Sequence, residues 1–318
     1  MDRCLICFKP LNTGDSDYHK KCSKRLFGTP SAPRLDYDYS EVRKLAKEVV
    51  ARRLAIPGVQ PKISLTLEKV NSDNRFTIVG IWNGLYVLKP PHESYRQLPE
   101  NEALIMSLAE LCKIDVAPHG LIRFRSGEMA YIAKRFDRVI RNKKLIRLAQ
   151  EDMCQLTGQL TEDKYNSSME KVAKAILTYT TNKGFEVSVF MDVLIFCFLV
   201  GNADMHLKNF SLLTTEDEVV KLSPAYDLIS TEIIEIGDGE ESALSINGKR
   251  NKLDLRDFEA LAAYSGLPLK SLEKTLKRFS NALPQMFEKI EESFLSADLK
   301  TKLIKVIKSR SERLGLAS

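Results

Sequence analysis

Histidine is scarce in this chain: there are four, at positions 19, 92, 119 and 206. No His-Glu-x-x-His helix occurs, so the usual scaffold of a catalytic zinc hydrolase is missing. Tryptophan occurs once. The most apolar segment, VSVFMDVLIFCFLV at 187–200, falls short of the roughly 20 residues that span a bilayer and contains Asp192. It is expected to form a buried core helix, and no membrane association is expected. No long apolar stretch follows Met1, so no secretory leader is expected. A Gly-x4-Gly-Lys-Ser/Thr loop is absent, which argues against a P-loop enzyme. There is no internal repeat and no low-complexity tail. A dominant charge is lacking too: 48 Lys and Arg face 42 Asp and Glu, a net +6. That permits anionic partners without marking a DNA-binding protein.

What is present is an ordinary folded composition, 44% hydrophobic and 28% charged over 318 residues. Disordered, collagenous and small disulfide-stapled classes are excluded. The length allows about two domains, or one unit of two lobes. Cys112, Cys154 and Cys197 sit in helical, apolar contexts, as buried free thiols do. A reducing cytoplasm fits this cysteine usage best. The remaining cysteines are patterned. Cys4-x2-Cys7 is followed by His19-x2-Cys22, two tight pairs that could grip one zinc ion tetrahedrally. The rival reading is three reduced cysteines and a surface histidine packed beside the lobe. Catalysis by this cluster is not expected, because all four candidate ligands are protein side chains and no position stays open for water.

Along the chain, residues 1–28 read as a small Cys/His module and 29–39 as a linker. SEVRKLAKEVVARRL then reads as a helix, with Ser40 as N-cap and Val42, Leu45, Ala46, Val49 and Val50 on one apolar face. Residues 63–68 and 76–89 alternate β-branched and aromatic positions between turn signals and predict antiparallel strands. Helices dominate from about residue 101, with strand-like pieces at 129–134, 209–214 and 219–223. The expected fold is α+β and two-lobed, with a smaller, mostly β lobe over 29–149 and a larger helical lobe over 150–318. A cleft between such lobes is a natural ligand site.

Four segments carry the chemistry. Gly58-Val59-Gln60-Pro61-Lys62 is either a turn or a phosphate-covering loop to which Lys62 adds charge. Lys89 ends a hydrophobic strand, and Glu102 lies thirteen residues later in a predicted helix. An ion pair between them would hold the lysine against phosphate oxygens. GNADMHLKNF at 201–210 crowds Asn202, Asp204, His206, Lys208 and Asn209 directly after the apolar helix. Asp204 and Asn209 are spaced like the proton acceptor and metal ligand of a kinase catalytic loop. His206 would brace the loop or touch phosphate, and Lys208 would neutralise a transferred phosphoryl group. Asp227 follows the strand-like 219–222 and is placed as a magnesium ligand, although Asp-Leu-Ile stands where kinases carry Asp-Phe-Gly. Gln150-Glu151-Asp152 reads as the hinge facing a nucleotide base, and Lys134-Arg135-Phe136-Asp137 as a cleft border. Plain charged surface is the alternative for both.

These residues resemble the HipA-like family of bacterial Ser/Thr toxin kinases. The matches are the GxQPK loop, Leu-Lys-Pro, KRFD, QEDMCQLTG, N-x-D-x-H-x-K-N and P-x-Y-D-L, in the family's order over about residues 55–230. The resemblance implies a protein-kinase-like fold with a phosphate loop at 55–62, a catalytic loop at 201–210, and ATP and Mg²⁺ as cofactors. Lys89 would contact the ATP phosphates, Gln150 the nucleotide side of the hinge, and Asp204 would be the catalytic carboxylate. Asn209 and Asp227 would hold magnesium, with His206 and Lys62 as accessory nucleotide contacts. The resemblance also implies a protein substrate such as an aminoacyl-tRNA synthetase, with arrest of translation and growth. The implied partner is a helix-turn-helix antitoxin, through which alone DNA would be bound.

The chain departs from long family members in lacking room for the β subdomain that precedes the loop. That resembles the short, HipT-like form of three-gene operons and leads to the expectation of a separate small partner protein. Long members carry an autophosphorylated Ser before the loop. Here Ala55-Ile56-Pro57 offers no hydroxyl, so self-inactivation there is expected to be absent. The rival classes are a small-molecule kinase, which would need a closed substrate pocket, and an assembly or transcriptional partner without turnover. A zinc-module nucleic-acid binder is weaker still, since residues 1–28 offer only scattered Lys and Arg.

Overall fold

The computed structural model describes residues 2–51, 61–70, 73–79, 83–142, 144–235 and 239–316. The N-terminal lobe is built on β1 (Ile63–Val70), β2 (Asp73–Ile78), β3 (Tyr86–Lys89), β4 (His119–Arg123) and β5 (Met129–Lys134). They form one antiparallel sheet in the order β2-β1-β3-β5-β4. Side chains alternate across a strand, so each face takes a different cover. Tyr86 and Leu88 face the N-terminal segment, whose helix α1 (Lys20–Phe27) accepts the Tyr86 hydroxyl at the Leu26 carbonyl. Phe27 packs edge-on against Phe76, which in turn meets Tyr86. Gly120 lies on this same face. A side chain there would come within 2.7 Å of Ile6, so only glycine admits the close approach. Lys89, two residues past Val87, faces α3 (Leu98–Leu111) on the other side. His119 is a buried core histidine, between Ser107 and the Ala117 carbonyl and stacked on Tyr131.

Three local expectations are corrected. Helix α2 (Tyr39–Ala51) begins one residue before Ser40, so Ser40 lies in its first turn and is not the cap. The Asp38 N–H is taken instead by Glu41 Oε2 at 2.7 Å, the side chain three residues on. On the expected apolar face Val42 is buried, but Leu45 is 41% exposed and points to solvent. Ala46, Val49 and Val50 lie outside the described side chains. Residues 29–38 are less free than a linker: Arg34 exchanges backbone hydrogen bonds with Asn74 and Phe76 beside β2.

The strands continue as a hairpin, β6 (Arg138–Arg141) with β7 (Lys144–Arg147), and as β8 (Gln150–Asp152), which opens the larger lobe. There β8 joins β9 (Ser211–Thr214) and β10 (Val220–Leu222) in a three-stranded sheet. Around it lie α4 (Met153–Leu156), α5 (Met169–Tyr179), α6 (Lys183–Leu199), α7 (Leu255–Tyr264), α8 (Leu269–Glu292) and α9 (Ala297–Arg313). Helix α6 is the apolar segment of the sequence, buried from Val193 to Leu199. Its Asp192 is satisfied by Arg278 at 2.5 Å and by the Thr275 hydroxyl at 2.6 Å, both on α8. An ionised side chain is tolerated there because it is paired. Among the described residues no helix is long and apolar enough to cross a membrane. The fold is therefore two-lobed α+β, with the polar 201–210 segment leaving the buried end of α6.

Candidate active site

Lys89 is the centre of a charged cluster between the lobes. Its ammonium lies 2.5 Å from Glu102 Oε1 of α3 and also donates to Asp227 Oδ1. Lys62, at the entry to β1, reaches Asp227 Oδ2 at 2.6 Å. Two cations thus face two carboxylates in a mostly buried space. Burial alone would raise the Asp227 carboxyl, but Lys62 and Lys89 outweigh it and hold the group well below the usual range. Burial also disfavours the Lys89 ammonium, and Asp227 and Glu102 more than restore it, so the lysine stays charged. Glu102 fares differently. Burial pushes it up to about 7, with Lys89 offsetting only part, and its Oε2 has no hydrogen-bond partner. The residue that ends this cluster is strained: Asp227 has φ 55°, a left-handed backbone that favours glycine, asparagine and aspartate.

The second half of the site follows α6. Gly201 (φ 69°) lets the chain turn tightly against α9, where a Cβ would come 2.9 Å from Val306. Asn202 Oδ1 then accepts the Asp204 N–H at 3.0 Å, and the Thr231 hydroxyl accepts the Ala203 N–H at 2.9 Å while donating to Gly201 O. Asn209 Nδ2 donates to the Asp204 carbonyl at 2.8 Å, closing the loop on itself. The amide nitrogen is thereby committed to backbone, which leaves the Asn209 amide oxygen for a cation. Asp204 itself accepts the Tyr165 hydroxyl at 2.8 Å. His206 is buried, stands edge-on to Tyr165, and its Nδ1 has no partner. Burial pushes it down to about 4, so the ring is neutral near pH 7.

Strand β8 splits its three polar residues by alternation. Gln150 faces the cleft and donates to Ser211 Oγ at 3.1 Å, while Glu151 is exposed. Asp152 caps α4 through the Gln155 N–H and takes Lys208 Nζ at 2.7 Å. Lys208 is thus held at the hinge side of its loop. Arg135 and Asp137 line the cleft with Phe136, Val87, Ala117 and Ala133, enclosing about 240 Å³ with Lys89 and Asp227 at one end. Gly58, Val59 and Gln60, with Ala55-Ile56-Pro57, lie outside the described residues. Cys4, Cys7, His19 and Cys22 come together away from this cleft, their ligand atoms within 4.8 Å of one another.

Two residues at the site escaped the sequence reading. Tyr165 carries no local signal, since it meets Asp204 across 39 positions of chain. Tyr226, next to Asp227, hydrogen-bonds Ser211 Oγ at 2.6 Å and donates to the Lys208 carbonyl at 2.8 Å. It joins the segment after β10 that carries Asp227 to the loop that carries Asp204. Its place inside P-x-Y-D-L was the one available hint.

Comparison with known proteins places the chain among kinase-like relatives. A family profile described as the HipA-like C-terminal domain matches residues 54–287. A Haemophilus influenzae protein whose name reads "Putative kinase" is 31% identical over 251 residues, covering 72% of this chain and 68% of that one. The serine/threonine-protein kinase toxin HipA of Shewanella oneidensis is 28% identical over 280 residues, covering 79% of this chain and 63% of that one. The chain thus spans about two thirds of the length of these relatives. Among solved structures, the Shewanella oneidensis complex of HipA, HipB and operator DNA aligns with a TM-score of 0.70 at 24% identity, over 85% of this chain and 70% of that chain. At that identity the likeness is one of fold.

Proposed function

This chain belongs to the HipA-like family, and from that premise we propose that it is an ATP-dependent serine/threonine protein kinase acting as a toxin. The observation that carries this reading is the pairing of two differently held carboxylates. Asp204 is set in a braced loop with only a neutral hydroxyl donor upon it, and Asp227 is kept ionised by Lys62 and Lys89. Bound ATP would supply the phosphoryl group and Mg²⁺ the neutralisation of its charge. The donor set suits that ion, because the Asp227 carboxylate and the Asn209 amide oxygen are hard oxygen ligands. Asp204 Oδ orients the substrate hydroxyl and takes its proton. Lys89, held by Glu102, places an ammonium on the phosphate side of the cleft. The apolar wall of Val87, Ala117 and Ala133 takes the base, with Gln150 at the hinge.

The finer reading is a short, HipT-like toxin whose substrate is an aminoacyl-tRNA synthetase. It would be neutralised by a helix-turn-helix antitoxin that makes the DNA contacts, and a separate small protein would complete the operon set. The test is transfer of radiolabelled phosphate from ATP and Mg²⁺ to synthetases and to a lysate captured on an Asp204→Asn variant. Label on a synthetase Ser or Thr together with growth arrest supports the reading. Turnover confined to small metabolites overturns it. Intact-mass analysis after incubation with ATP checks the lack of a phosphorylated hydroxyl at 55–57; stoichiometric phosphate within 50–70 would sink that point.

A further inference from the structure

The Cys/His cluster lies where the two lobes meet, on the side away from the cleft. Cys7 Sγ is 3.2 Å and Cys22 Sγ 3.9 Å from the same atom, His19 Nδ1. In a tetrahedral site with Zn–S of about 2.3 Å and Zn–N of about 2.0 Å, thiolate and imidazole donors stand about 3.5 Å apart. The observed distances bracket that value. The other ring nitrogen, His19 Nε2, lies 2.9 Å from the Pro10 carbonyl. A carbonyl only accepts, so Nε2 carries the proton and Nδ1 turns its lone pair to the thiols. That is how protein groups orient a metal-ligating histidine. The backbone is shaped to match: Cys4 N–H bonds Lys9 O, Phe8 N–H bonds Cys4 O, and Phe8 takes φ 65°. None of the three thiols is in a disulfide.

The residues around these ligands grip different lobes. Leu5 O accepts the Leu121 N–H of β4 at 2.8 Å, and Ile6 fills the space over Gly120. Arg3 donates to the carbonyls of Glu291 and Glu292, the open C-terminal end of α8. The Cys7 carbonyl takes Lys289 Nζ at 2.6 Å, and Phe8 meets Phe294 edge-on with ring centroids 5.7 Å apart. Within six residues the chain holds the back of the small lobe's sheet and the end of a large-lobe helix.

We propose that Cys4, Cys7, His19 and Cys22 bind one zinc ion, and that the resulting knuckle clamps the small lobe to the C-terminal end of α8. The segment is short, with few apolar residues of its own between the ligand pairs, so the ion fixes the turn from which both sets of contacts are made. The clamp needs neither ATP nor a substrate, so it stands or falls apart from the kinase reading.

The test uses the full chain. Elemental analysis of purified protein is expected to give one zinc per chain, retained in His19→Cys and reduced at least about tenfold in Cys22→Ser. Zinc is then removed with a strong chelator, and backbone hydrogen exchange is followed. Protection is expected to fall at 3–8 and, in the same step, at 286–294 across the lobe boundary. Lys289→Ala keeps zinc but loosens exchange at residues 7–9, which tests the clamp if the cysteine variant fails to fold. Protein without stoichiometric zinc, or with a disulfide among the three cysteines, overturns the site. Zinc with unchanged exchange at 286–294 after its removal overturns the clamp.

Discussion

The segment that carries Asp227 and the loop that carries Asp204 each set one carboxylate near His206, and they treat it in opposite ways. Asp227 is wedged between Lys62 and Lys89 and is part of the charge balance that lets Lys89 and Glu102 be buried at all. Asp204 sits on a loop whose backbone is fully braced without it, through Asn202, Thr231 and Asn209. One carboxylate is therefore structural as well as the proposed metal ligand. The other holds a single side-chain hydrogen bond, from the Tyr165 hydroxyl. A metal ligand gains from being held ionised, whereas a proton acceptor must keep its lone pairs accessible.

The sharpest way to break that contrast is to neutralise each carboxylate in turn. Asp204→Asn and Asp227→Asn are both expected to lower phosphate transfer by about a thousandfold or more, read as initial rates with ATP and Mg²⁺. Retention of near wild-type transfer by either variant removes the assignment. Stability separates the two. Asp227→Asn leaves two ammonium groups short of a partner and is expected to cost about 2–4 kcal/mol in urea unfolding. Asp204→Asn is expected to stay within about 0.5 kcal/mol of wild type. Equal losses would mean that the loop is not braced as described.

Acid sharpens the comparison further. The Asp227 pKa is depressed in the fold, so its contribution is present above the unfolded value of about 3.9 and disappears as pH falls through the folded one. The gap between wild type and Asp227→Asn should hold from neutral pH to about 4 and close below it. His206 provides a separate window. Its folded value is lowered to about 4, so neutral His206 contributes stability that is present above about 6.5 and drains away down to about 4. His206→Asn should flatten wild-type stability loss across that interval, and an unchanged profile would show that the ring is not shielded. The smallest effect is expected from Tyr165→Phe. Loss of one neutral hydrogen bond to Asp204 should change transfer by roughly two- to tenfold with little change in melting.

Much of this site was legible because its residues are clustered along the chain. Asn202 to Asn209 fall within one short loop after an apolar helix, and the strand-end position of Lys89 follows from period-2 alternation. The α+β division and most strands were legible for the same reason. What was not legible depends on distance in sequence. Tyr165 reaches Asp204, and Lys62 reaches Asp227, only through the fold. Local rules also failed where a competitor won: Ser40 had the right chemistry for a cap, but Glu41 took the free N–H of Asp38. Leu45 fitted an apolar periodicity, yet no described element covers it. The two Cys pairs were legible as a pattern, but their seat on both Gly120 and the end of α8 was not.

The left-handed backbone at Asp227 bears on how this position can vary. With φ at 55°, side chains other than aspartate or asparagine meet a steric penalty of about 1–2 kcal/mol, and glycine meets none. Glycine and asparagine fit the turn but abandon the two lysines, while glutamate keeps the charge and fights the turn. Backbone and electrostatics each admit a short alphabet of residues, and the two alphabets share a single letter.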